Sequence, residues 1–156
     1  MAGRRSEPER VVATNRRARH DYEIVDRYEA GIQLTGDEVK SLRAGRASLV
    51  DSFARVRGGE VWLEGLHIPP YEQGDPRTHR PLRPRKLLLH RAEIAELERA
   101  TAERGLTLVP LRVAFVHGLA KVELGLGRGK RRWEKRQAIA KREAEREVER
   151  AVSRRR

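Results

Sequence analysis

The last 27 residues of this 156-residue chain are too polar to form a hydrophobic core of their own. Residues 130–156 carry 12 basic and 5 acidic side chains, and their large apolar residues are Trp133, Ile139, Val148 and Val152. Such a segment cannot bury enough apolar surface to offset the conformational entropy lost on folding. We therefore expect this C-terminal tail to be disordered, or to become helical on binding a partner. Any core must be formed by the preceding residues.

Charge is concentrated at the two ends of the chain. Residues 1–20 carry a net charge of +4 and the tail +7, whereas residues 21–129 carry 17 basic and 16 acidic groups. This distribution is typical of terminal arms that bind a polyanion, either a nucleic acid or an anionic membrane surface. Charged ends that only aid solubility are the alternative. The pattern predicts a basic flexible arm over 1–14, a folded body over 15–129 and the tail over 130–156.

Several classes of protein are disfavoured by what the sequence lacks. The sequence contains no run of about 18 apolar residues, the length needed to span a membrane, and the N-terminus has no apolar signal-peptide core. The chain has no cysteine, which is compatible with a reducing cytosol. We therefore expect a cytoplasmic protein with no membrane partner.

The sequence also lacks a recognisable catalytic or cofactor motif. The five histidines show no metal-ligand spacing. The segment from Gly125 to Lys130, GLGRGK, fails the phosphate-loop pattern because Leu124 replaces the first glycine and Arg131 replaces Ser or Thr. We expect no enzyme activity, no metal, no cofactor and no small-molecule substrate.

Local signals define the elements of the first half of the body. Residues 21–34 mix β-branched, aromatic and charged residues and are predicted to be extended. Thr35 and Glu38 have the spacing of a capping box, and Gly45 follows as a stop signal. These signals predict a short helix from about Gly36 to Ala44.

The second half of the body contains two predicted hairpins, a long loop and a helix. Residues 52–68 form two strand-like runs around Gly58-Gly59, with a bulge expected at Gly65. Residues 69–86 predict an unusually long loop, 89–104 a helix, and 106–127 a hairpin that turns at His117-Gly118. This order predicts a mainly β fold, a small OB-like antiparallel β-barrel with flanking helices. An α+β open sheet is the alternative.

Five stretches of the chain together resemble the SmpB family, the SsrA-binding proteins of bacterial trans-translation. The EVKSLRAG and RPRKLLLH blocks are the most specific of these matches. The matching stretches are NRRARHDYEI (15–24), YEAGIQLTGDEVKSLRAGRASLVDSFARV (28–56), HIPPYEQGDPRTHRPLRPRKLLLH (67–90), GLTLVPLRVAF (105–115) and AKVELGLGRGKRRWEKR (120–136).

The resemblance implies both a fold and a function. It implies an OB-like barrel that binds the tRNA-like domain of transfer-messenger RNA (tmRNA) and delivers it, charged with alanine, to stalled ribosomes. Elongation factor Tu with GTP would accompany this complex. The tail would occupy the empty mRNA channel and the decoding centre in place of codon–anticodon pairing. A structural ribosomal RNA-binding protein and a nuclease on an OB-like scaffold are the alternatives.

Glu38 is the residue of the body with the most specific implied role. The resemblance implies that it is needed for tmRNA binding, although the capping box with Thr35 would by itself explain its presence. Because a carboxylate repels phosphate, its role would be to recognise a base or a 2′-OH, or to hold a neighbouring arginine.

The other candidates for RNA contact are mostly basic and occur in the matching stretches or close to them. Their alternative role is a solvated arm or the water-facing side of a helix. With Glu38, the predicted tmRNA-binding residues are Asn15, Arg16, Arg19, His20, Lys40, Arg43, Arg46, Tyr71, Arg85, Lys86, Leu88, Lys121 and Arg128.

The start of the tail departs from the family pattern in one respect. The pattern there is Gly-Lys-Lys, two variable residues and Asp-Lys-Arg, whereas this chain carries Glu134 at the aspartate position. Trp133 falls where members carry a ring, and it could stack on a base or pack against the barrel. The predicted ribosome-contacting residues are Lys130, Arg131, Arg132, Trp133, Lys135, Arg136, Ile139, Lys141 and Arg142.

Overall fold

A single seven-stranded antiparallel sheet organises the chain. The structure is a computed structural model that describes residues 9–129 and 142–151. Its strands pair in the order β1-β6-β7-β2-β5-β4-β3. The strands are β1 (Arg10–Thr14), β2 (Tyr22–Ile32), β3 (Phe53–Arg57), β4 (Glu60–Glu64), β5 (Arg85–Leu88), β6 (Thr107–Val116) and β7 (Leu119–Gly129); the helices are α1 (Arg16–Asp21), α2 (Gly36–Arg43), α3 (Arg91–Ala102) and α4 (residues 142–151).

The two predicted hairpins are confirmed. β3 pairs with β4 across Gly58 and Gly59, whose φ angles are +60° and +73°. β6 pairs with β7 across His117 and Gly118, whose φ angles are +50° and +76°. Two consecutive positive φ angles match the twist of the flanking strands, which is why glycine is favoured at such turns.

The mainly β prediction is confirmed, but the predicted closure into a barrel is wrong. The sheet curls until β3 approaches β6, and α3 contacts both strands. A strand has only two hydrogen-bonding edges, and both edges of β6 are already occupied by β1 and β7. Among the described residues no ladder joins β3 to β6 or to β1, so the sheet stays open with β1 and β3 at its edges.

The core lies inside the curl of the sheet and is closed by helices. Leu42 of α2 and Leu97 of α3 are fully buried against apolar side chains of the strands, including Leu63, Val113 and Leu124. α2 begins as predicted, with the Thr35 hydroxyl accepting from the Glu38 amide and the Glu38 carboxylate accepting from the Thr35 amide. The core therefore fixes α2 to the sheet and exposes its polar side.

Two strands were not anticipated. Residues 10–14, placed in the N-terminal arm by the sequence analysis, pair with β6 as β1, so the sheet begins before Asn15. β5 occupies the end of the predicted loop and the two residues between that loop and the predicted helix, and it pairs with β2 and β4. Four residues are too short a run to show alternation in the sequence.

Helix α4 lies in the C-terminal tail. All of residues 142–151 are exposed, so no residue of this helix is buried by the rest of the described chain. The expectation that the tail is disordered or becomes helical on binding a partner stays a prediction. No helix of the described residues is long and apolar enough to cross a membrane.

Gly65 lies directly after β4, in a turn, and not at the expected bulge within a strand. Its φ is +79°, and a Cβ atom there would lie 2.9 Å from the Asp51 carbonyl oxygen. We expect Gly65→Ala to destabilise the fold by more than the roughly 1–2 kcal/mol of left-handed backbone strain, because a backbone clash is added. Gly59→Ala is the matched control, since φ is +73° but no atom lies within 4 Å. Equal losses of unfolding free energy in urea would contradict the clash.

Candidate functional site

Helix α2 and the long loop that precedes β5 form one polar unit, called here the α2–loop face (residues 35–46 and 69–84). The buried Ser41 hydroxyl donates to the Pro69 carbonyl oxygen at 2.7 Å. Lys40 lies over the Tyr71 ring, with its Nζ 5.4 Å from the ring centroid. These contacts hold the first part of the loop against the helix.

Glu38 connects the same helix to the end of the loop through two arginines. Arg85 Nε donates to Glu38 Oε2 at 2.5 Å, and Arg85 Nη2 forms an ion pair with the same oxygen. Arg83 donates from Nε at 3.2 Å to each carboxylate oxygen and from Nη2 to Oε1. Glu38 is 1% exposed and Arg85 is 0% exposed. One buried carboxylate therefore joins α2, the loop and β5.

Arg85 is satisfied on every side. Its Nη1 donates to the Leu66 carbonyl oxygen at 2.6 Å and its Nη2 to the Pro81 carbonyl oxygen at 3.1 Å. Burial of a charge is tolerated only when the charge is paired and its remaining hydrogen-bond donors are used, and both conditions hold here.

The protonation of this pair follows from its surroundings. Burial raises the pKa of Glu38, but hydrogen bonds from Arg83, the Thr35 amide and Arg85, with the charge of Arg85, outweigh it and leave the pKa below its ordinary value. Burial lowers the pKa of Arg85, and the contacts with Glu38 oppose that change. At neutral pH the carboxylate is ionised and the arginine is protonated.

The structure corrects the expectation that Arg85 contacts RNA directly. Its guanidinium has no exposed surface and is consumed by Glu38 and two carbonyl oxygens. Glu38 is likewise enclosed, which favours the predicted role of holding an arginine over recognition of a base or 2′-OH. The cap and the arginine contacts coexist in one carboxylate.

Three predicted cations lie on the exposed side of the α2–loop face. Lys40, Arg43 and Arg46 are all exposed. Arg43 lies with its guanidinium carbon 6.0 Å from the Phe115 ring centroid, and Arg46 Nη1 lies 3.6 Å from Glu72 Oε1. With half-buried Tyr71, these residues place positive charge and an aromatic ring on one surface.

A second group of predicted residues lies on α1, which contacts β2 and β6. Asn15 is the N-cap residue of this helix, but its side chain forms no capping bond and instead links the helix to β6, because its Nδ2 donates to the Pro110 carbonyl oxygen at 2.9 Å. Arg16, Arg19 and His20 are exposed, and His20 Nδ1 lies 3.2 Å from Asp21 Oδ1. Asn15 thus has a structural role that its sequence position did not indicate.

The remaining body residues lie on the sheet. Lys121 and Leu88 flank Gly31 from β7 and β5, so the three residues are adjacent across the strands. Leu88 is 47% exposed. Lys86 Nζ lies 2.8 Å from Glu60 Oε1, and Arg128 is exposed near the end of β7. The sequence-predicted residues therefore occupy the α2–loop face, α1 and part of the sheet, and not a single pocket.

Most of the predicted tail residues lie outside the described residues. Arg142 is exposed at the start of α4. The candidates outside the described part of the chain are Lys130, Arg131, Arg132, Trp133, Lys135, Arg136, Ile139 and Lys141.

Arg83 is the site residue that sequence reasoning missed. It belongs to the matching RPRKLLLH region, two residues before Arg85, and its basic neighbours concealed which arginine would be enclosed. The available signal was the alternation of Arg83 and Arg85 around Pro84, which places two guanidinium groups within reach of one acceptor. Within residues 9–129 and 142–151, no group of three or more His, Asp or Glu residues has an arrangement that could hold a metal ion.

These features define a mainly β protein with an open curled sheet, a cationic helix–loop face and a basic C-terminal extension. The SmpB protein family model matches residues 12–154, and the chain belongs to that family. The chain is 62% identical over 147 residues to the SsrA-binding protein of Thermobifida fusca, covering 94% of this chain and 92% of that protein.

Further relatives and a solved structure agree with this assignment. The SsrA-binding protein of Mycobacteroides abscessus is 57% identical over 155 residues, covering 99% of this chain and 98% of that protein. A solved chain described as "tmRNA-SmpB: a journey to the center of the bacterial ribosome" has 57% sequence identity and a TM-score of 0.62. The match covers 75% of this chain and 82% of that chain.

Proposed function

We propose that this protein binds the tRNA-like domain of tmRNA and associates with the ribosome. The names of the relatives support tmRNA as the partner. The structural observation that supports RNA binding most directly is the α2–loop face. That face presents Lys40 and Arg43 of α2, and Arg46 just after the helix, to solvent, and Glu38 fixes the helix from its buried side. Cationic side chains on a rigid element bind phosphates and set the register of an RNA, whereas base edges supply specificity.

We propose further that the protein delivers alanyl-tmRNA to stalled ribosomes in the cytoplasm. Elongation factor Tu with GTP accompanies the complex, and the tail occupies the empty mRNA channel and decoding centre. The charged helix α4 supports this role, because all of its residues are exposed in the described part of the chain and are accessible to a partner. The protein acts as an adaptor and catalyses no reaction in this scheme.

The three exposed cations of the α2–loop face provide a direct test of the proposed interface. We expect the triple variant Lys40→Gln, Arg43→Gln, Arg46→Gln to bind a transcript of the tRNA-like domain at least about tenfold more weakly. The slope of log K against log salt is negative and should become less steep by about two to three, since each phosphate contact releases roughly one counterion. Electrophoretic binding at several salt concentrations, with ordinary tRNA alongside, measures both quantities.

A matched control for the triple variant is Arg57→Gln, which changes an exposed arginine at the end of β3. It changes net charge without altering the α2–loop face. Equal loss of affinity per charge in the control would mean that net charge alone drives binding. Recovery of the protein on all small subunits from cells, and not mainly on stalled ribosomes, would favour a structural ribosomal protein.

A further inference from the structure

The Glu38 cluster holds one more positive charge than negative charge. One carboxylate faces two guanidinium groups, and Arg85 is the one that is fully buried. A buried arginine needs the carboxylate as a counter-charge far more than an exposed one does. The unbalanced charge therefore resides on Arg83, whose side chain is 32% exposed.

The hydrogen bonds of Arg83 leave one side of its guanidinium available. Its Nε and Nη2 donate to Glu38, and its Nη1 makes a 3.5 Å contact with the Pro84 carbonyl oxygen. A guanidinium group has five N–H donors in a planar fork, so two donors have no acceptor among the described residues. Because Glu38 fixes one edge of the plane, the direction of the remaining donors is also fixed.

The surroundings of Arg83 favour an anion. The Arg83 amide donates to the Arg80 carbonyl oxygen at 3.3 Å, which places the exposed Arg80 in the same turn. A preoriented guanidinium with a free edge suits phosphate, whose oxygens it can bind in a bidentate manner.

We propose that Arg83 contacts an RNA phosphate and that Glu38, braced by Arg85, orients it for this contact. This inference rests on the proposed function and adds a residue and a role to it. It also explains how an enclosed carboxylate serves RNA binding: Glu38 acts through the arginine and never meets the polyanion. Glu38 and Arg85 are positioning residues, and Arg83 is the binding residue.

The test compares Arg83→Gln and Arg83→Lys with the wild-type full chain, using a transcript of the tRNA-like domain. We expect Arg83→Gln to lower affinity and to reduce the slope of log K against log salt by about 0.7–0.9, the value of one phosphate contact. Arg83→Lys keeps the charge but loses the planar fork, so the slope should remain near wild type while affinity falls less. Thermal unfolding of each variant reports on the fold.

The outcomes separate this inference from the proposed function. Lower affinity of Arg83→Gln with an unchanged slope would show that Arg83 only fixes the loop, and unchanged affinity would show no contact; either result overturns the inference alone. If Arg83→Gln fails to fold, Arg83→Lys decides through its affinity, and a folded Lys variant with wild-type affinity and wild-type slope overturns the inference, because the planar fork would then contribute nothing to binding. Failure of the wild-type chain to bind the transcript would overturn the proposed function itself.

Discussion

Removal of residues 130–156 is expected to abolish alanine transfer from tmRNA to the nascent chain on stalled ribosomes, while tmRNA binding stays largely intact. The candidate RNA-contacting residues of the body precede Lys130, and the tail carries 12 basic and 5 acidic residues without a core of its own. A segment of this composition gains ordered contacts only against another surface, and ribosomal RNA offers a polyanionic one.

Single substitutions in the tail should reproduce part of this loss. Trp133→Ala should reduce transfer, since one stack between a base and an aromatic ring contributes roughly 1–3 kcal/mol. Val148 lies in the interior of α4, where proline costs about 3 kcal/mol and glycine about 1 kcal/mol of helix stability relative to alanine. Val148→Pro should therefore be more damaging than Val148→Gly. Undiminished transfer by the tailless protein, measured on ribosomes programmed with truncated mRNA, would leave the tail only a solubilising role.

The stability of α4 explains why proline and glycine should differ there. None of its residues is buried, so tertiary packing does not support it. Glu143 and Arg146, and likewise Glu147 and Arg150, are spaced three residues apart, a spacing at which an ion pair would add only a few tenths of a kcal/mol. Helices of this length are marginal in water. A single helix-breaking residue is therefore sufficient to unfold the segment.

Elements defined by neighbouring residues could be predicted from the sequence. The capping box of Thr35 and Glu38 needs only four residues, and both bonds are present. The turns at Gly58-Gly59 and His117-Gly118 follow from the left-handed backbone that those positions need. In each case the physical cause lies within a few residues along the chain.

Features that depend on distant residues could not be predicted. Arg85 lies 47 residues after Glu38, and nothing near it in the sequence shows that its charge is enclosed. Arginine is mostly exposed in proteins, so a basic run beside a loop suggests a surface. The open sheet likewise depends on β1 occupying one edge of β6, and these two strands lie about a hundred residues apart in the sequence. The burial of Glu38 and Arg85, unlike the position of α2, could therefore not be predicted from the sequence.

Loss of either partner of the buried Glu38–Arg85 pair is expected to destabilise the fold by about 3–5 kcal/mol, because the other partner becomes an uncompensated buried charge. Glu38→Gln preserves size and still leaves Arg85 facing a neutral amide. Thr35→Ala removes only the hydroxyl cap and should cost about 1 kcal/mol. Lys86→Met is the control for a partly exposed pair and should change stability by less than about 1 kcal/mol. Arg85→Met removes the other partner of the buried pair. Urea unfolding at neutral pH measures the free energy of unfolding of all four variants.

The pH dependence of the same measurement identifies the carboxylate as the cause. The pKa of Glu38 is lowered in the folded protein, so its contribution is fully present above the ordinary glutamate value of about 4.3. The contribution is lost as pH falls through the lowered folded pKa, because the protonated carboxyl resembles the amide. The gap in unfolding free energy between wild type and Glu38→Gln should therefore be constant above about pH 5 and shrink in acid. A gap that stays constant in acid, or is absent at neutral pH, would show that the ionised carboxylate does not hold the two arginines.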